Sequence, residues 1–106
     1  MQHPQTDGKV YGLIKNSGDK IVVVYFGRAS SYLCNGLALL LEELASSYAG
    51  HINVVFASAD LDQCGTAVAS IFGVEELPTT VFFRNGALLF YVQGFQIDLI
   101  KEVLRE

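Results

Sequence analysis

Lys20-Ile21-Val22-Val23-Val24-Tyr25-Phe26-Gly27-Arg28-Ala29-Ser30-Ser31-Tyr32-Leu33-Cys34-Asn35 sets the architecture of this chain. Ile21 to Val24 are β-branched and lead into Tyr25 and Phe26 without polar alternation. A short apolar run of this kind predicts a strand buried on both faces. A short loop follows, and Ser30 and Ser31 then stand ahead of an apolar segment with helical spacing. Either serine can cap that helix, because its side-chain oxygen accepts from an unpaired N–H of the first turn. The unit is buried strand, loop and helix N-terminus, with Cys34 in the first turn. In open α/β sheets this is the end where ligands and reactive groups collect.

The flanking sequence supplies the layers such a strand needs. Asp7 to Lys15 predicts a helix with Val10, Leu13 and Ile14 on one face, ended by Asn16-Ser17-Gly18-Asp19. The helix opened by the serines runs to Tyr48, with Leu33, Leu37, Leu40, Leu41 and Leu44 in phase and Gly50 as its stop. Ile52 to Ala59 predicts a second, parallel strand. Asp62 is placed to cap a helix from about Gln63 to Phe72. Thr79–Arg84 and Ala87–Val92 flank Asn85-Gly86, a type I′ hairpin signal. Phe95 to Glu106 closes the chain as a helix with Ile97, Ile100, Val103 and Leu104 toward the sheet. The expected fold is α/β: a three-layer sandwich whose mixed sheet has a βαβ unit followed by a β-hairpin and a C-terminal helix. Residues 1–106 are expected to form one domain.

Composition narrows the function. Hydrophobic residues make up 51% and charged residues 17%, a balance that excludes a disordered chain. The apolar runs are far shorter than the roughly 20 residues of a membrane helix, and Met1 to Gln5 has no apolar signal region. A cytoplasmic protein without a membrane partner is expected. The net charge is −4 and the basic residues are scattered, which argues against a nucleic-acid partner. Two cysteines 30 positions apart, with His3 and His51 elsewhere, make neither a disulfide framework nor a metal site. No cofactor motif is present.

Several short segments, in order, resemble the thioredoxin family. Gly18 to Val24 resembles the lead-in to its central strand, and Asp60-Leu61-Asp62-Gln63-Cys64 the exit of its third. Leu77-Pro78-Thr79 is similar to its cis-proline loop, Arg84-Asn85-Gly86 to its hairpin, and Gly94 to the glycine before its last helix. The resemblance implies a thioredoxin-like fold. The short polar leader leaves no convincing first strand, so the strand from Ile52 is expected to be a bare sheet edge open to a second copy. The long helix lacks the family's kinking proline, with Leu39 or its neighbour in that place, and is expected to be straighter.

The departure lies at the active site. The family's Trp-Cys-x-x-Cys falls on Ser30 to Cys34, so Ser31 holds the place of the attacking cysteine. Cys34 keeps the resolving position, and Tyr25 falls where typical members carry a buried acid. Thiol–disulfide exchange needs an accessible thiolate, and a serine cannot replace it without a base. Ser31 therefore reads as an N-cap. Cys34 is the candidate for any surviving chemistry, as a mixed disulfide or a glutathione adduct. Cys64, placed like an accessory thiol of some eukaryotic members, reads otherwise as a surface helix residue. The resemblance implies that the backbone before Pro78 receives an extended peptide, with Tyr32, Leu33, Leu77, Thr79 and Phe95 around the groove. The expected function is redox-inactive or redox-impaired protein or peptide binding. The alternative is a monothiol oxidoreductase or glutathione-reactive protein using Cys34. A homodimer, through the exposed edge strand or an apolar helix face, is also expected.

Overall fold

The structure, a computed structural model, describes residues 1–105. Helix α1 (Asp7–Asn16) precedes strand β1 (Ile21–Gly27), helix α2 (Tyr32–Ser47) and strand β2 (Val54–Asp60). Two short helices come next, α3 (Leu61–Cys64) and α4 (Ala67–Ile71). Strands β3 (Thr79–Arg84) and β4 (Ala87–Gln93) and helix α5 (Ile97–Arg105) complete the fold. The strand order is β2-β1-β3-β4, with β1–β2 parallel and the other pairs antiparallel. The expected α/β architecture holds, and its chemistry-bearing end is the C-terminal end of β1.

Alternation along β1 builds both cores. Val22, Val24 and Phe26 join Val81, Phe83, Val10, Ile14, Leu61 and Val68 on the face covered by α1, α3 and α4. Val23 and Tyr25 join Phe56, Phe82, Val92, Leu37, Leu41 and Ile100 under α2 and α5. The strand is therefore apolar throughout because neither face meets water. Asn85 and Gly86 both have positive φ, 53° and 78°, as the type I′ turn requires.

Three expectations change. The helix expected over Gln63 to Phe72 is two helices, parted at Gly65, whose φ is 95°. The Asp7 carboxylate lies 2.7 Å from where a Cβ on Gly65 would stand, and it accepts from the N–H of Ala67 and Val68 at 3.2 and 3.3 Å. Its role is thus to cap α4, while Thr6 caps α1. The cap before α3 is Asp60, not Asp62: Asp60 accepts from Asp62 N–H, and the Asp62 carboxylate pairs with Arg28 at 2.8 Å. Finally, the β2 edge is not bare. No described strand precedes α1, yet Gln2 forms a parallel bridge to Ala57. Gln2 N–H donates to Phe56 C=O, and Ser58 N–H donates to Gln2 C=O, both at 2.8 Å. The C-terminal end of the last expected helix, Glu106, lies outside the described residues.

Candidate functional site

Ser31 is the N-cap of α2. Its backbone is extended and its Oγ accepts from Cys34 N–H at 3.3 Å. That hydroxyl serves the helix, and neither histidine lies beside it. His51 stacks on Tyr48 at the far end of α2, and His3 pairs with Glu42 at 2.9 Å, well along the same helix. Cys34 is 1% exposed, in the core beneath α2.

Tyr25 closes this core from below. Tyr25 and Gly27 alternate onto the same face of β1. The Tyr25 ring lies over Gly27, so a Cβ there would meet its Oη at 2.2 Å. From that position Oη donates to Cys34 C=O at 2.7 Å. The position that resembles the family's buried acid thus holds a neutral donor tied to the backbone. Burial, aided by Cys34 and Asp60, drives the Tyr25 hydroxyl's pKa well above its ordinary range. It cannot take up a proton from Cys34 at neutral pH.

The surface beside this sealed thiol is apolar and open. Tyr32 is 97% exposed and Leu33 51%, both in the first turn of α2. Phe95 packs one turn further along, its ring 3.1 Å from the Cβ position of Gly36. Gly94 N–H donates to Pro78 C=O at 2.8 Å, and Thr79 pairs with Phe26 at the end of β1. The Leu77–Pro78 peptide is cis. Tyr32, Leu33 and Phe95 thus share one end of the sheet with the Leu77-Pro78-Thr79 loop. Thr79 itself is buried, its Oγ1 donating to Glu76 C=O at 2.6 Å, so it shapes the loop rather than the surface.

Cys64 is placed differently from the surface position expected. It is buried, and its Sγ contacts Pro4 C=O at 3.0 Å. The leader that bridges β2 through Gln2 covers this thiol as well. Composition could not show this, because a polar leader gives no signal of docking. Burial pushes the Cys64 thiol up, with a smaller contribution from Asp7 and Asp60 and an opposing hydrogen bond from the Asp60 backbone. Tyr25 and Cys64 therefore stay protonated in the fold at pH values where the unfolded chain ionises. Their contribution to stability is complete below the ordinary values, 10.0 for the tyrosine and 9.0 for the thiol, and is lost as pH climbs through the raised ones. Urea midpoints are expected to be level near neutrality and to fall from about pH 9 upward. Tyr25→Phe should remove the part of that fall beginning near the ordinary tyrosine value.

Among the described residues, no cluster of His, Cys, Asp or Glu could hold a metal ion, and no helix is long and apolar enough to cross a membrane. The family model described as Thioredoxin matches residues 5–106. Thioredoxin H5 of Arabidopsis thaliana is 35% identical over 89 residues, covering 84% of this chain and 72% of the relative. A thioredoxin of Ictalurus punctatus is 30% identical, covering 88% and 85%. Among solved structures, Fasciola hepatica thioredoxin superposes with a TM-score of 0.87 at 26% identity, covering 99% of this chain and 97% of that one.

Proposed function

The chain belongs to the thioredoxin family, and from that premise we propose that it is a redox-inactive member that binds an extended peptide or protein segment at the Leu77-Pro78 loop. The observation that supports this most is the pairing of a sealed thiol with an open apolar surface. Cys34 is buried between the serine-capped first turn of α2 and a neutral tyrosine, while Tyr32, Leu33 and Phe95 stand exposed beside the loop. Exchange chemistry needs the reverse, an accessible thiolate. An extended peptide needs free backbone groups and apolar side-chain contacts, as in strand addition. The Leu77 backbone would supply the former, and the exposed Tyr32, Leu33 and Phe95 the latter.

The monothiol alternative, with Cys34 reacting with glutathione or a partner thiol, requires Cys34 to leave its core position, and burial weighs against it. Cys64 as an accessory thiol would likewise have to displace Pro4. The same proposal puts the chain in a reducing compartment such as the cytoplasm, which keeps two free cysteines reduced. A titration with a degenerate library of extended peptides, monitored by amide NMR shifts, tests the groove. Shifts at Tyr32, Leu33, Leu77, Thr79 and Phe95, lost in Tyr32→Asp, are expected. Shifts confined to other surfaces overturn the proposal.

A further inference from the structure

An open sheet has two edges, and here they are treated differently. The β2 edge carries Gln2, which occupies both a donor and an acceptor of that strand. No described element pairs with the outer side of β4. The β4 sequence, Ala87-Leu88-Leu89-Phe90-Tyr91-Val92-Gln93, has no charge and no proline, two of the usual protections of an exposed edge, and carries one irregularity, at Leu89. Leu88, Leu89, Phe90 and Tyr91 are each between 38% and 53% exposed. They flank the strand on both sides. Tyr91 pairs with Val81 and Leu88 with Phe83 on the α1 face, while Phe90 pairs with Phe82 toward α5. Beside Leu89 and Phe90, an apolar cavity of about 260 Å³ reaches to Val103 and Leu104.

We propose that β4 is a self-association edge, pairing antiparallel with β4 of a second copy of this chain to form a continuous eight-stranded sheet. Three observations favour a second copy over a foreign strand. The strand carries no charge that would select a differently charged partner or repel an identical one. Its apolar side chains lie on both faces, so two-fold pairing sets like against like across the whole contact. The other edge is partly occupied by Gln2, at Phe56 C=O and Ser58 N–H, which leaves β4 as the less obstructed edge for a second copy.

The contact is small. Two leucines and two aromatics, about half exposed and split between the two faces, plus the backbone edge, bury at most on the order of 800–1,000 Å² in total. That lies below the range of permanent dimers and fits a weak, reversible one. The irregular register at Phe82/Phe83 leaves Leu89 as an extra residue and shortens the regular ladder. Dissociation constants on the order of tens to hundreds of micromolar are expected. This surface is separate from the peptide groove and does not depend on that reading.

Sedimentation equilibrium from about 10 μM to about 1 mM, a range that brackets such constants, tests the proposal together with concentration-dependent amide exchange. A monomer–dimer equilibrium is expected. It should be abolished by Leu89→Lys and by Tyr91→Lys, and kept in Ile52→Lys, whose side chain is exposed away from β4. In the unmodified chain, exchange of the β4 amides that face away from β3 should slow as concentration rises, a readout that does not depend on any variant folding. A monomer throughout that range overturns the proposal. So does a dimer that survives both β4 substitutions, or one that leaves β4 exchange unchanged.

Discussion

In the folded chain, Cys34 is expected to react with iodoacetamide about a thousand times more slowly than in urea, or slower still. Cys34 is 1% exposed, capped by the first turn of α2 and underlain by Tyr25. A reagent reaches it only when that core opens, so its rate scales with the open population. Global stabilities of about 5–15 kcal/mol make such openings rare. Cys64 is expected to be protected less, by about ten- to a hundred-fold, because releasing the short leader at Pro4 suffices to uncover it. Alkylation in the native state, quenched at intervals and read by mass for each cysteine, gives both rates. Labelling of Cys34 at the rate of a free thiol would contradict the sealed site and favour the monothiol alternative.

The second large effect concerns Gly27. Gly27→Ala is expected to cost about 2–4 kcal/mol of folding stability. A methyl group there meets the Tyr25 ring at 2.2–3.0 Å. The ring must swing away, losing its hydrogen bond to Cys34 C=O and disturbing the packing under α2. In a Tyr25→Ala background the same change should cost less than about 1 kcal/mol, because the obstructing ring is gone. Urea denaturation of the two single variants and the double variant gives the coupling. A Gly27→Ala cost that is unchanged by Tyr25→Ala would show that the glycine is needed for some other reason.

Much of this fold is legible in the sequence. The Ile21–Phe26 run, Ser31 as N-cap and the Asn85-Gly86 turn each depend on local physics: unbroken burial, an unpaired first-turn N–H and positive φ. The parts that are not legible depend on contacts between distant residues. Gly65 breaks the helix after β2 because the Asp7 carboxylate, far away in sequence, supplies the cap of α4. The polar leader offers no convincing strand because no single residue in it signals docking. Gln2, Pro4 and Gln5 nevertheless meet β2, Cys64 and Gln63. At the site, the serine-for-cysteine departure is visible in the sequence. The pairing of Tyr25 with Gly27 is also there, two residues apart on one face of a strand, but its meaning requires knowing which way the ring turns.

The central claim is that the scaffold remains while the exchange chemistry is gone. Reduction of insulin by dithiothreitol, with and without the chain, tests it most directly when run beside Ser31→Cys. The unmodified chain is expected to add nothing to the uncatalysed rate. Ser31→Cys should add a measurable rate, kept modest because Tyr25 supplies no base to the second thiol. Catalysis by the unmodified chain would contradict the account, since Cys34 or Cys64 would then be acting as a single accessible thiol.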